Sequence, residues 1–496
     1  MSAATEATST DANPRRWVTL GVIALAQLMV VLDATIVNIA LPSAQRELVI
    51  SDADRQWVIT AYTLAFGGLL LLGGRIADYW GRKRTFIVGA LGFAAASAIG
   101  GLAQNGPMLF GARALQGAFG ALLAPASLAL LTVLFVEARE RAKAFAVYGA
   151  IAGGGSAVGL LLGGVLTEYA DWRWCLLVNI PIAILVLFLA LPLVPESKAT
   201  GNTKYDLPGA VVVTLGLVAL VYGFNEAAKP DRGWSSPVTL GCIFGGLALL
   251  AVFVLIERRV RNPLLPLRIV LERNRGGAYI TSMLVGAGLF GAFLFLTLYQ
   301  QNVLGYTPLK AGFAALPVTV GVLISAGAAS NLMPRIGPKP LMVVGPILAA
   351  GGMFWLRFVD LDTSFWGHLA WAQLLLGLGL GFTFVPLSSL ALIGVPEHDA
   401  GAASAALNAT QQVGGSLGTA LLNTIATSAI TAYLAAHVAT TPAQGERNGL
   451  LAQLDGYTIA FTWAAIIILV AAGVSALLIQ AHKEDLPAEP AAAHAG

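Results

Sequence analysis

The sequence predicts an all-α polytopic membrane protein. Of its 496 residues, 57% are hydrophobic and only 11% charged, against roughly 25% charged residues in soluble domains. Long apolar runs alternate with short polar loops, and short motifs return at one fixed spacing in the two halves of the chain. A span needs about 20 mostly apolar residues, so the length accommodates about twelve to fourteen of them and no soluble domain. Lipid gives open backbone groups no partner, which makes the spans helical.

Fourteen spans are expected, over residues 17–40, 56–74, 85–103, 107–135, 144–168, 173–194, 208–226, 238–256, 277–302, 310–333, 341–359, 367–394, 401–431 and 457–481. The segment 1–16 precedes them. The first apolar run is longer than the core of a cleavable signal, so it is read as a membrane helix. The tail 482–496 is rich in Ala and Pro and is expected to be disordered.

Most of the 29 Lys and Arg residues fall in loops on the N-terminal side, in clusters at Arg82-Lys83-Arg84, Arg139 to Lys143 and Arg258 to Arg275. By the positive-inside rule both termini are cytoplasmic. The same rule accounts for the net charge of +3, so no nucleic-acid partner is implied. Cys175 and Cys242 lie in apolar runs and read as small packing residues.

An internal repeat supports the count. Gly81-x-Lys83 followed by Gly89 returns as Gly337-x-Lys339 followed by Gly345, and residues 124–131 return loosely as 385–393. Spans 1–6 and 9–14 therefore read as related six-helix halves, 17–194 and 277–481, with spans 7 and 8 inserted in a linker region, 195–276. Secondary transporters commonly have this organisation, with a substrate site between the halves near the midplane.

Asp33 stands inside the first span, where a carboxylate costs at least about 2.5–3.5 kcal/mol on insertion scales and usually marks an ion path or a buried partner. Arg113 is the other clearly intramembrane charge, on a stripe of the fourth span with Gln116, Gly117, Gly120 and Ala124. At about 1.5 Å per residue, Asp33 lies roughly 13 Å below Pro42 and Arg113 roughly 9 Å below Pro107, depths that allow them to interact. One reading is a static pair that fixes packing, which is weak evidence for stability. The sharper reading is a carboxylate that alternates between protonated and charged, with Arg113 modulating it.

The loop 73–84 sets Asp78 four residues before Arg82, with Gly74 and Gly81 allowing a tight turn. It reads as a topological anchor or as a conformational latch, with Asp78 holding a helix N-terminus of the other half in one state. On the fifth span Gly155, Gly159 and Gly163 recur at four-residue steps, followed by Gly164, a pattern for close helix packing. Asn38 and Gln116, the stripe Phe290, Phe293, Thr297 and Gln301, and the pair Asn408 and Gln411 are candidates to line a substrate cavity, or alternatively to pack the helices. Glu168 and Glu226 sit at outer helix ends and read as solvated. No Gly-Lys dipeptide is present, so no phosphate loop forms and no nucleotide is expected. The five histidines lack metal-ligand spacing, and neither metal nor cofactor is expected. Uphill work would draw on an ion gradient, at about 2.3 kcal/mol per charge per 100 mV.

These motifs resemble the major facilitator superfamily, in its fourteen-helix drug:proton antiporter branch. Four carry the resemblance across the chain: Leu32 to Pro42, Gly74 to Arg84, Ala112 to Gly117 and Gly155 to Gly164. The resemblance implies alternating access between two six-helix bundles flanking two additional helices. It makes Asp33 a proton-coupling candidate with Arg113 its modulator, and it implies export of hydrophobic, often cationic compounds. The chain departs from the family at Gly159-Leu160, where a Gly-Pro pair is usual, so a bend-promoting proline is missing. It also lacks the acid that some relatives handling dications carry in the tenth span.

The expected function is proton-coupled efflux of drug-like lipophiles by a monomer in a bacterial plasma membrane, not enzymatic. A proton-coupled importer on the same fold and a non-transporting sensor or scaffold are the alternatives. An enzyme is disfavoured, since no nucleophile, metal cluster or paired carboxylates share one depth.

Overall fold

The computed structural model describes residues 15–135, 138–198, 206–227, 229, 232–260, 263–264, 267–393, 395 and 400–485, and among them all regular structure is helical. The first half contains α1 (Arg16–Glu47), α2 (Trp57–Trp80), α3 (Arg82–Gly101), α4 (Gly106–Leu134), α5 (Ala138–Tyr169) and α6 (Trp174–Leu193). Then come α7 (Leu207–Ala227) and α8 (Pro237–Arg259). The last six are α9 (Arg273–Val303), α10 (Pro308–Ile336), α11 (Pro338–Leu356), α12 (Phe365–Ala391), α13 (Ala400–Ala436) and α14 (Pro442–Leu478). Among the described residues, thirteen of these helices are long and apolar enough to cross a membrane. The fourteenth, α5, is 32 residues long and shows a shorter apolar stretch, Val158–Tyr169. The expected N-terminal segment as far as residue 14, the tail from 486 and the side chains of Arg139, Arg141 and Lys143 lie outside what is described.

Helix ends follow local chemistry rather than hydropathy. Helix α4 starts where Asn105 Oδ1 accepts from Met108 N at 2.9 Å, with Pro107 in the first turn. This pairing supplies one of the partners that a helix start lacks. The same device begins α14 at Pro442, with Thr441 Oγ1 accepting from Gln444 N at 3.3 Å. The helix therefore extends well before the apolar run expected to start at 457. Apolarity measures bilayer thickness; a cap sets where a helix begins.

The repeated glycines are one structural device used twice. Gly81 joins α2 to α3 at φ +125° and Gly337 joins α10 to α11 at φ +83°, backbone that L side chains rarely adopt. Each lets the chain reverse in a single residue.

Small residues set the tightest crossings. A Cβ at Gly73 or Gly117 would collide with the carbonyl oxygens of Ala121 and Tyr62, so α2 and α4 touch backbone to backbone. Helices α9 and α13 do likewise at Gly414 and Gly418. Helix α7 packs on α8 through Gly216 and Gly246, and on α2 where Thr214 meets Gly68. Only 17% of the most apolar window of α8 is buried, which leaves Phe244 and Leu247 on an open apolar face, as a lipid-facing helix requires.

Several polar bonds join α1–α6 to α9–α14, and these lie toward the face that carries the α1–α2 loop. Gln301 Nε2 donates to Ile39 O at 3.0 Å, Leu309 N to Glu168 Oε2 at 3.0 Å, and Arg55 Nε to Asn423 Oδ1 at 3.0 Å. Thr63 and Ser416 hydroxyls lie 2.7 Å apart, farther along α2.

Candidate functional site

Asp33 is fully buried among α1, α3, α4 and α6. Its Oδ2 accepts from Arg113 NH1 at 2.5 Å, and its Oδ1 accepts from Gln116 Nε2 at 2.8 Å and from Asn179 Nδ2 at 2.9 Å. Arg113 donates Nε to Val58 O at 3.0 Å and NH1 to Gln116 Oε1 at 2.8 Å, and its guanidinium lies 4.4 Å from the centre of the Tyr62 ring. Gln116 Nε2 also donates to Ser97 Oγ at 2.8 Å. Two helices, α4 and α6, thus bond the carboxylate of α1, and α2 and α3 hold its partners. A charge with these donors is compensated, whereas removing a single partner of such a buried pair would leave the other uncompensated.

The depth match of Asp33 and Arg113 is realised as a direct contact. Gln116, a candidate for the substrate cavity, stands instead in this ionic cluster, because three residues after Arg113 its side chain turns to the same face of α4. Ser97 and Asn179 were not among the sequence candidates. Each is a lone polar residue in an apolar run, and that was the available signal.

Residues 74–80 end α2 and 82–84 begin α3, so the expected 74–84 loop is reduced to Gly81, because its positive φ turns the chain in one residue. Arg82 NH2 donates to Asp78 Oδ1 at 3.1 Å, so the bond given to Asp78 is local, within one turn. The start of α3 is held by the segment after α6: Arg82 N donates to Ser197 O at 2.9 Å and Lys83 N to Glu196 Oε1 at 3.3 Å. A Cβ at Gly81 would meet only the movable end of the Glu196 side chain, at 2.6 Å, so the requirement for glycine there comes from φ. Gly74 faces Pro125 at ordinary contact distance, and Arg75 NH2 donates to Pro263 O at 3.2 Å, tying α2 to the segment after α8.

Gly155, Gly159 and Gly163 of α5 all face α1, against Val31, Thr35 and Ile36, while Gly164 meets the backbone of Leu309 at the start of α10. Leu160, in place of the family's proline, is buried against Ile39, Ala311 and Ala315. Helix α5 is therefore wedged between the two halves.

The remaining cavity candidates do not form one wall. Asn38 Nδ2 bonds carbonyls of its own helix, Ala34 O at 3.2 Å and Thr35 O at 3.3 Å. Phe290 and Phe293 are half-buried at the edge of the core, Thr297 is buried, and Gln301 is committed to Ile39 O. Asn408 is exposed and Gln411 half-buried on α13. An apolar groove of about 170 Å³ between α2 and α4 is lined by Leu69, Leu72, Ile76, Ala118, Phe119 and Leu122, none of them a candidate.

Two further features correct or extend the sequence reading. Glu226 is not solvated but wholly buried, with Lys229 Nζ at 2.5 Å and Arg232 NH1 at 3.1 Å. Hydrogen bonding to Glu226 in turn raises the Lys229 ammonium above its ordinary pKa. Second, Arg55 is buried between the halves, its guanidinium 5.8 Å from the ring centres of both Phe295 and Tyr457. Asn423 Nδ2 returns a bond to Asp52 O at 3.0 Å. Helix α7 joins this cluster through Asn225 Nδ2 to Ala53 O and Thr424 Oγ1 to Phe224 O, both at 2.7 Å.

A family model described as Major Facilitator Superfamily matches residues 23–419. The puromycin resistance protein pur8 of Streptomyces alboniger is 51% identical over 476 residues, which cover 95% of this chain and 93% of that protein. The cephamycin export protein CmcT of Amycolatopsis lactamdurans is 39% identical over 419 residues, 83% of this chain and 86% of that protein. In fold, the chain is similar to the crystal structure of a bacterial homolog of the human lysosomal transporter Spinster in an inward-facing, unoccupied conformation. The TM-score is 0.65 at 15% identity, covering 96% of this chain and 99% of the other.

Proposed function

The chain belongs to the major facilitator superfamily, and from that premise we propose that it exports hydrophobic or amphipathic drug-like compounds, antibiotics among them, in exchange for protons. The relatives named for puromycin resistance and cephamycin export support the direction and the substrate class. The observation that carries proton coupling is the wholly buried Asp33, held by Arg113, Gln116 and Asn179. Transport of this kind makes and breaks no covalent bond in the substrate, so the protein is not an enzyme.

In this reading two six-helix bundles, 17–194 and 277–481, rock about a central path, with 195–276 carrying α7 and α8. The protein is a monomer with both termini cytoplasmic, so the α1–α2 loop faces outward. Closure at that face by Gln301, Leu309 and Arg55 then corresponds to an inward-facing state. Outward opening breaks these bonds, gives Asp33 access to an external proton and favours substrate release. Return inward delivers the proton and readmits substrate. Arg113 is the ion-pair partner that modulates Asp33. The 74–84 segment, with Gly74, Asp78, Gly81 and Arg82, gates the inner face, and the α5 glycines let α1 and α10 slide past the wedge. Asn38, Phe290, Phe293, Thr297, Asn408 and Gln411 contact substrate as it passes.

The test is proton-gradient-driven movement of a fluorescent lipophilic cation in proteoliposomes, comparing wild type with Asp33→Asn. Wild type is expected to move the dye uphill in the export sense, and the variant to insert normally and lose this. Equal transport by both would sink the coupling role of Asp33. Transport in the opposite sense would indicate an importer.

A further inference from the structure

The partners of Asp33 are unequal in what they can offer once it carries a proton. A carboxylate only accepts hydrogen bonds, whereas a protonated carboxyl has an O–H that needs an acceptor. Arg113 has none to give. Gln116 Oε1 is committed to Arg113 NH1 at 2.8 Å, and Val58 O to Arg113 Nε at 3.0 Å. Asn179 differs: its Nδ2 donates to Asp33 Oδ1, while its Oδ1 is buried with no hydrogen-bond partner. An orphaned acceptor of this kind in a native interior calls for an explanation.

We propose that Asn179 is a positioning residue that serves both protonation states of Asp33, donating to the carboxylate through Nδ2 and, turned over about its Cβ–Cγ bond, accepting from the protonated carboxyl through Oδ1. The proposal rests on the reading of Asp33 as the proton carrier. The turn exchanges the two amide atoms without moving the backbone of α6. Ser97 accommodates it, since its Oγ lies 3.4 Å from Asn179 Nδ2 and also accepts from Gln116 Nε2. Its hydroxyl hydrogen is free to rotate toward whichever amide atom faces it. The proton balance is simple: one O–H bond forms on Asp33 with a proton from the open aqueous side and breaks when it is released to the other. No electrons are transferred.

The ionisable groups that face Asp33 are Arg113 from α4, Tyr62 from α2 and Cys175 from α6. The Cys175 thiol is engaged with Thr167 Oγ1 at 3.3 Å and Gly163 O at 3.8 Å, and the Tyr62 ring is covered by Arg113. Among the direct partners Asn179 is the one whose acceptor makes no hydrogen bond, and its amide presents a donor and an acceptor on the same carbon.

The experiment is infrared difference spectroscopy of the full-length protein between high and low pH, with gradient-driven efflux measured alongside. In wild type labelled with isotopic asparagine, a side-chain amide band is expected to change on protonation and to be absent from Asp33→Asn. In Asn179→Leu, with the same number and branching of side-chain heavy atoms but unable to hydrogen-bond, the protonated-carboxyl band of Asp33 is expected to move. Efflux should fall at least tenfold, and Asn179→Ser, which both donates and accepts, should recover part of it. An unmoved carboxyl band with wild-type efflux in inserted Asn179→Leu overturns the proposal. If neither variant inserts, the labelled wild type decides, and the lack of an Asp33-dependent asparagine band overturns it. If Asp33→Asn itself retains the carboxyl band and the efflux, it is the proton-carrier reading that fails.

Discussion

Arg55 Nε lies 3.0 Å from Asn423 Oδ1, and this bond ties the loop between α1 and α2 to α13 across the two halves of the chain. Arg55 is buried, its second contact being Asp52 Oδ1 at 3.0 Å, and the rings of Phe295 and Tyr457 flank its guanidinium. Opening at this face must separate the groups, so the contact weighs on one side of the conformational balance.

Removing it shifts that balance. A hydrogen bond to a charged group contributes about 1.5–3 kcal/mol, and each 1.4 kcal/mol is roughly tenfold in an equilibrium. In a background without Cys175 and Cys242, a cysteine introduced by Ala311→Cys, a position buried here against Ile39 and Leu160 of the other half, should be labelled slowly. Adding Arg55→Ala should raise the labelling rate by roughly tenfold or more, and Asn423→Ala should act in the same direction. An unchanged rate would show that the bond does not hold this face closed.

Arg113→Ala should destabilise the protein more than any surface substitution. It leaves Asp33 charged and buried without its cation, a cost of about 3–5 kcal/mol for such pairs. Combining it with Asp33→Asn should restore most of the lost thermal stability in detergent while leaving efflux absent. The pair would not be the dominant interaction if Arg113→Ala alone unfolded at the wild-type temperature.

Gly159 of α5 packs against α1 with no room for a Cβ beside Thr35 Oγ1. Gly159→Ala should cost about 1–3 kcal/mol through overpacking. Thr35→Ala should recover part of this, because it removes the atom in the way and leaves Leu32 O and Thr35 Cβ at 3.2 Å. The check is a double-substitution cycle on thermal unfolding; strict additivity would rule out the clash as the cause.

Glu272 supplies a pH dependence outside the spans. Burial alone would raise its carboxyl, but the N–H groups of Asn274 and Arg275 and the Arg275 side chain hold it below its ordinary value. A carboxyl depressed by folding stabilises the folded state above its unfolded pKa, about 4.3, and that contribution fades as pH falls through the folded value. At neutral pH Glu272→Gln should lose about 0.3–1 kcal/mol from the start of α9, as expected for a negative charge at a helix N-terminus. The difference from wild type should close as the pH is lowered through 4. A difference that persists at pH 3 would assign the effect to packing.

The sequence by itself determined the class of the protein and the order of its helices, because bilayer thickness and the scarcity of charge leave few other arrangements for such a chain. It also located Asp33 and Arg113 at compatible depths, since rise per residue converts position into height. The paired glycines 81 and 337 were legible as repeats, and their shared positive φ gives the physical reason for the repetition. The tertiary structure decided what depth and periodicity cannot encode, namely which neighbour stands on the facing helix. Asn179 reaches Asp33 from α6 with Ser97 of α3 behind it, Arg55 meets Asn423 across most of the chain, and Gln116 turns into the ionic cluster rather than a cavity. Glu226 at a helix end is buried because Lys229 and Arg232 fold back over it. Hydropathy fixes a residue's height in the membrane; the azimuth of each helix, and hence its partners, is settled only when all the helices pack.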